Sequence, residues 1–192
     1  DNAVSQKPKG IVITLPDAAA LGKSVKAAIA AGIPVVSMNS GSDDYASLGI
    51  SAHVGQTEFE AGVGGGQKMK AAGGKKALCV NHEVGNVALD RRCAGFKKGF
   101  GGSVDILGTS NDPTEIQKAV AAKLGGGYDT ILTLGAGLSG EAALKALEAA
   151  GKVGNVKLGT FDMSPNMLKA AAAGKVEFLI DQQQYLQGYL PI

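Results

Sequence analysis

Gly135, Gly137 and Gly140, in the stretch TILTLGAGLSGEAALKALEAAG, fall in the GxGxxG spacing of a dinucleotide cradle. Asp162 ends the next strand-like run, near the offset at which a ribose-binding carboxylate would stand. The chemistry this spells is a pyrophosphate seated over a helix N-terminus. With 29 glycines in 192 residues, however, a chance match is common, and the pattern alone assigns nothing. Other reactive groupings are sparse. His53 and His82 are the sole imidazoles, and Cys79 and Cys93 have neither CxxC nor zinc spacing, so a metal site starts badly. The two cysteines fall on a strand-like run and the following helix. They could meet there as a disulfide or sit as two small buried thiols. No nucleophile–base pair stands out. The residues therefore predict no catalytic group, no metal and no cofactor.

Seven short apolar runs recur along the chain: residues 10–15, 33–39, 76–81, 104–109, 130–135, 156–161 and 176–180. Between most of them lie alanine-rich amphipathic stretches closed by glycine, such as DPTEIQKAVAAKLGGG. Continuous apolar strands separated by helices predict an α/β fold with parallel sheets covered on both faces. Residues 39–56 have no helical period and read as a loop or short strand. The helix that follows opens with a capping box, Thr57 and Glu60, yet holds Gly62, Gly64, Gly65 and Gly66. It is either locally weak or packed so closely that side chains are excluded. DNAVSQKPKG reads as the tail of a helix stopped at Pro8, and QYLQGYLPI as a helix just begun, so the chain looks incomplete at both ends.

Bulk properties narrow the class further. A net charge of +2 with scattered Lys and Arg gives no polybasic footprint, so neither nucleic acid nor a membrane surface is an expected partner. No apolar run is long enough to span a bilayer as a helix, and direct membrane insertion is not expected.

AHVGQTEFEAG, VNHEVGNVALDRRCAGF, NDPTEIQKAV and LGTFDMSPNMLKAAAAGKVEFLIDQQQYLQGY together resemble the ribose-binding type of periplasmic sugar-binding proteins that serve ABC importers. The resemblance covers essentially the whole chain in order. It implies a two-lobed type I periplasmic binding protein fold, each lobe a parallel sheet sandwiched by helices. Residues 1–56 plus 183–192 would form a partial N-terminal lobe lacking its first two strand–helix units. Residues 57–182 would form a complete C-terminal lobe. On that template the glycine turn follows the third strand of the second lobe. This is the wrong place for a dinucleotide, and the glycines serve instead to let a ligand lie close to the strand ends.

The resemblance also sorts individual residues. Arg92 lies on the apolar helix face of Leu89, Cys93 and Phe96, where an arginine either snorkels to solvent or meets a polar partner; it matches the family's ligand-contacting arginine. Asp162 matches the aspartate that accepts from sugar hydroxyls, and Ser164 with Pro165 leaves it no capping duty. Gln182 matches a glutamine at a lobe crossing. Asn39 and Ser40 stand where the family places polar contacts from the first lobe, some members having Asp-Arg there. His82 and Glu83 could reach a hydroxyl or simply shape their loop, with Asn86 capping the next helix. Asp112 precedes Pro113, with Glu115 at N3, and capping explains it well, a ligand-facing role being the alternative. Gly135 is the glycine of the turn nearest a ligand, while Ala136 replaces a family asparagine and supplies no side-chain hydrogen bond. Tyr45, Phe59 and Tyr185 are weak substitutes for the sugar-stacking aromatics of the missing segment.

The implied function is capture of a monosaccharide or polyol by closure of two lobes and delivery to the permease of an ABC importer, in the periplasm or another extracytoplasmic space, as a monomer and not as an enzyme. The alternatives are the sugar-sensing core of a LacI-type transcriptional regulator and, less favoured, an NAD(P)-dependent Rossmann enzyme.

Overall fold

A computed structural model describes residues 2–192 of the chain. The described residues form eight strands, one in each of the seven apolar runs and a further one at Ala52–Gly55, and every pairing between them is parallel. The chain divides into two units. Among the described residues the first comprises 2–57, 86–88 and 182–192, and the second 58–85 and 89–181. Gln182, placed by the sequence in the second lobe, thus groups with the first unit, as do Asn86 to Ala88.

In the first unit, α1 (Asn2–Ser5) leads through Pro8 into β1 (Ile11–Ile13). Then follow α2 (Ala18–Ala30), β2 (Val35–Asn39) and β3 (Ala52–Gly55), giving a sheet of order β1-β2-β3. The Asp17 side chain caps α2 by accepting from the Ala20 N–H at 3.0 Å. Leu15, Val25, Ala28, Val35 and Ile50 form the core of this unit.

The second unit runs α3 (Glu58–Ala71), β4 (Lys76–Asn81), α4 (Val87–Phe100, of which Leu89 onward belongs here) and β5 (Ser103–Gly108). It continues through α5 (Pro113–Lys123), β6 (Thr130–Thr133), a π-helical turn (Ala136–Gly140), α6 (Glu141–Ala149), β7 (Lys157–Phe161), α7 (Pro165–Ala172) and β8 (Phe178–Ile180). Helix α8 (Gln184–Tyr189) belongs to the first unit. Strand order is β5-β4-β6-β7-β8. Because successive strand residues point to opposite faces, β4 feeds two cores. Ala77 and Cys79 join Met69 of α3 and Phe96 and Phe100 of α4, while Leu78 and Val80 join Ile116 of α5, Leu147 of α6 and Met167 of α7. This double burial is why the strands read as unbroken apolar runs. The strand order reverses between β4 and β6, and a crevice outside the carboxyl ends of the strands is expected there.

The glycines of α3 are explained by packing. A Cβ on Gly62 would lie 2.3 Å from the Arg92 carbonyl oxygen, and one on Gly66 would lie 2.4 Å from that of Phe96. From the facing helix, Gly95 and Gly99 would strike the carbonyl oxygens of Phe59 and Val63 at 2.0 and 2.1 Å. Two backbones therefore touch along glycine stripes four residues apart, and the propensity cost of each glycine is offset by the contact it permits. Cys79 and Cys93 are joined as a disulfide that ties β4 to α4. By the loop-entropy account, closing a loop with a sequence separation of 14 stabilises the fold by about 3 kcal/mol.

Gly64 has no heavy atom within 4 Å of its would-be Cβ. Gly64→Ala should therefore raise stability by about 0.5–1 kcal/mol, whereas Gly95→Ala should lower it by about 1–3 kcal/mol or more. Urea denaturation of both variants checks the contrast, and equal effects would contradict close backbone contact.

Candidate functional site

The second unit gathers polar groups at the carboxyl ends of β4, β6 and β7. Asn81, the last residue of β4, is buried and folds the loop after it. Its Oδ1 accepts from the Glu83 N–H at 3.0 Å and its Nδ2 donates to Asp90 at 2.8 Å. This turn sets His82 over the end of β6. A Cβ on Gly135 would lie 3.2 Å from His82 Cε1, 3.5 Å from its Nε2 and 3.6 Å from Asp162 Oδ2. A side chain at 135 would thus enter the space beside both His82 and Asp162, which glycine leaves open.

The glycine turn is tied to its own backbone through Ser139. Ser139 Oγ donates to the Gly135 carbonyl at 3.0 Å and stands 3.3 Å from His82 Nδ1. A hydroxyl has one proton, so Ser139 accepts from Nδ1–H, and the neutral imidazole presents Nε2 as an acceptor. Gly140 packs against Thr160, Met167 and Thr133. Burial pushes the His82 imidazole below the ordinary histidine value; Glu83 and Asp162 pull it upward and Arg92 adds to the lowering.

Arg92 is buried on the face the sequence indicated, and its partner is the Glu58 carboxylate at the start of α3. Nε donates to Oε2 at 2.5 Å and Nη2 to Oε1 at 3.0 Å. Nη1 donates to the Leu134 carbonyl at 3.2 Å, and the guanidinium lies 4.6 Å over the Phe161 ring. Glu58 escaped sequence reasoning, although Glu58, Gly62 and Gly66 share one helix face and the latter two press on α4.

Asp162 takes a left-handed backbone conformation, φ 66°. Its N–H donates to the Ile180 carbonyl, and α7 is capped instead by Ser164, which accepts from the Met167 N–H at 3.2 Å. Asp112 caps α5: Oδ1 accepts from Thr114 N–H at 2.7 Å and Glu115 N–H at 3.1 Å, bonds that hold its carboxyl below the ordinary value. It lies after β5, at the edge of the sheet.

In the first unit, Asn39 also has a left-handed φ of 62°. Its Nδ2 donates to Gln187 at 3.2 Å, Gln187 Nε2 donates to the Gln182 carbonyl at 2.6 Å, and Gln182 Oε1 accepts from Gln56 at 3.2 Å. Gln56 and Gln187 are the members the sequence reading missed. Ser40 is a structural tie, its Oγ accepting from the Leu15 N–H at 3.1 Å. Asn86 caps α4 through the Ala88 N–H at 3.0 Å, as its position suggested. Tyr45 stacks on His53, and Tyr185 is exposed and stacks on Tyr189.

Two measurements bear on this geometry. The unfolded chain binds a proton at His82 more readily than the folded one, so stability is whole above about pH 6.5 and declines as pH falls through the lower folded value. His82→Gln should flatten that segment of a stability-against-pH curve, and an unaltered curve would contradict the buried neutral ring. Asp162→Ala should be less stable than Asp162→Gly by about 1–2 kcal/mol, because both lack the carboxylate and glycine alone adopts positive φ without strain. Equal stabilities in urea denaturation would contradict the left-handed conformation.

The family described as "Periplasmic binding protein domain" matches residues 1–192. The Xylose/arabinose-binding protein XylF of Sulfolobus acidocaldarius is 25% identical over 207 residues, covering 98% of this chain and 51% of that protein. Among solved structures, a carbohydrate transporter from Acidothermus cellulolyticus 11B in complex with myo-inositol has 37% identity and a TM-score of 0.93, covering 98% of this chain and 66% of that one. A periplasmic sugar-binding protein of an ABC sugar transporter from Legionella pneumophila has 25% identity and a TM-score of 0.85, covering 98% and 72%. The chain thus spans about half the length of the curated relative. Its parallel sheets flanked by helices are those of the type I periplasmic binding protein fold, and the chain belongs to the periplasmic binding protein family.

Proposed function

We propose that the chain binds a monosaccharide or polyol, and that in the second unit the ligand lies over the carboxyl ends of β4, β6 and β7. The observation that carries this reading is the convergence of His82 and Asp162 on Gly135. Asp162 offers a carboxylate that accepts from hydroxyls, the neutral His82 offers Nε2 as a further acceptor, and Arg92 supplies guanidinium donors. Glu83 stands beside His82, and Gly135 lets a ring approach the backbone. Hydrogen bonds to charged groups contribute about 1.5–3 kcal/mol each, so a few reach micromolar affinity after ordering costs. In the first unit, Asn39 and Gln182 are the corresponding polar candidates, each held in an amide network that can both donate and accept. Asp112 has a lesser place in this reading because its first oxygen is engaged as a cap.

Delivery to the membrane permease of an ABC importer, in the periplasm or another extracytoplasmic space, is part of the same proposal. It is supported by relatives described as transporter components and by the Cys79–Cys93 disulfide, a bond that persists in oxidising compartments.

The test is calorimetric titration of the chain, alone and extended to the length of its relatives, with xylose, arabinose, ribose, glucose, galactose and myo-inositol. One or more should bind, and Asp162→Asn should weaken that binding by about 1.5–3 kcal/mol with the fold intact. Failure of every sugar in both forms, or an affinity indifferent to Asp162→Asn, would contradict the proposal.

A further inference from the structure

We infer that Gln187 is a positioning residue for ligand specificity: it takes up the side-chain N–H of Asn39, so that Asn39 meets the ligand with its carbonyl oxygen and selects a hydroxyl that donates. This rests on the sugar-binding reading above. The backbone already fixes where the Asn39 side chain starts. At the carboxyl end of β2 the Ser40 N–H donates to the Met38 carbonyl at 2.7 Å, closing a three-residue turn with Asn39 at its centre and a φ of 62°. Gly55, the partner of Asn39 in β3, lies close against it, since a Cβ there would stand 2.9 Å from the Asn39 backbone carbonyl oxygen. With the Cα–Cβ direction held in this way, the question that remains is which end of the amide faces the ligand.

Hydrogen-bond polarity decides it. A backbone carbonyl can only accept, so the end of the Gln187 amide that meets the Gln182 carbonyl, at 2.6 Å, is the nitrogen Nε2. Gln187 Oε1 is therefore turned toward Asn39, where only the amide nitrogen can meet it, and Asn39 Nδ2 donates at 3.2 Å. The polarity of one carbonyl passes through two amides, and Oδ1 becomes the end of Asn39 directed away from Gln187. The placement of Gln187 agrees with such a role. Among the described residues it is the one that α8 buries, at 6% exposure, while Tyr185, Leu186 and Tyr189 of the same helix are exposed. Packing alone favours an apolar residue at such a place, because a buried amide loses its hydration and recovers it only through the bonds it makes. A ligand hydroxyl opposite Asn39 must then supply the proton. Fluorine in its place cannot donate, and it would set two electron-rich atoms against each other.

Calorimetry with xylose, arabinose, ribose, glucose, galactose and myo-inositol, in whichever form of the chain takes up sugar, identifies the tightest ligand, and its singly fluorinated deoxy derivatives then test the inference. Against the original sequence, the derivative with fluorine opposite Asn39 should bind more weakly than the parent sugar by about tenfold or more. In Gln187→Met the Asn39 amide can turn and offer Nδ2, so that one penalty should fall to about threefold or less while the penalties at other positions stay. A residue that only anchors α8 would weaken the parent sugar and every derivative in parallel. Such a parallel loss, or a set of penalties that Gln187→Met leaves untouched, would overturn the inference. Should Gln187→Met fail to fold, the original sequence decides alone: nuclear Overhauser contacts between the Asn39 Nδ2 protons and the Gln187 side chain should persist when the sugar saturates, and their disappearance would overturn it. Binding of no sugar at all would instead overturn the function from which the inference is drawn, so the two failures are distinguishable.

Discussion

The second unit depends on one buried ion pair and on the backbone contact that makes it possible. Glu58 reaches Arg92 because α3 and α4 approach along facing glycines until backbone touches backbone. Side chains at Gly62, Gly66, Gly95 or Gly99 would hold the helices apart and leave two charges in an apolar layer, an arrangement that costs several kcal/mol. The disulfide holds α4 from its other side, joining Cys93, next in sequence to Arg92, to β4. Arg92 is thus located by helix packing, covalent linkage and charge together, and it passes that fixity to Leu134 and Phe161 at the ends of β6 and β7. Rigid support of this kind is what a binding site needs if its hydrogen bonds are to be made without a further entropic cost.

A second regularity concerns backbone conformation. Asn39 at the end of β2 and Asp162 just after β7 both have positive φ, although neither is glycine. In each unit the strands leading there run in the same manner, β1-β2-β3 in the first and β6-β7-β8 in the second. Asn and Asp are the non-glycine residues that tolerate this conformation best, and such residues cluster where side chains are aimed at ligands. Lys7 and Gln183 share the left-handed conformation, so it is the position of Asn39 and Asp162 at strand ends that sets these two apart.

The sequence made the parallel sheets plain because strands buried on both faces read as continuous apolar runs, and all seven such runs contain strands. Strand β3 was half legible, since Ala52–Gly55 carries little apolar signal. Capping could be read from local grammar: Asp112 with Pro113, Ser164 with Pro165, and Asn86 all behave as their neighbours require. What escaped was long-range. Glu58 lies 34 residues from Arg92, Ser139 lies 57 from His82 and Gln187 lies 148 from Asn39. No local pattern marks those partners, because each becomes a neighbour only through strand order. The glycines of α3 were legible as an anomaly and the two cysteines as a possible pair. Only the packing showed that the first marks a close helix contact and the second a covalent tie.

The account's central claim is that a hydroxyl-rich ligand engages the ends of β4, β6 and β7 in the second unit. Amide and imidazole chemical-shift mapping during titration with the sugars of the binding screen tests it most directly. The account predicts that the largest changes fall on the Gly135 amide, the His82 ring and the Asp162 amide, and that they saturate together with one affinity. Saturating changes confined to other surfaces, such as the groove of Gln117, Glu141 and Lys145 between α5 and α6, would contradict it.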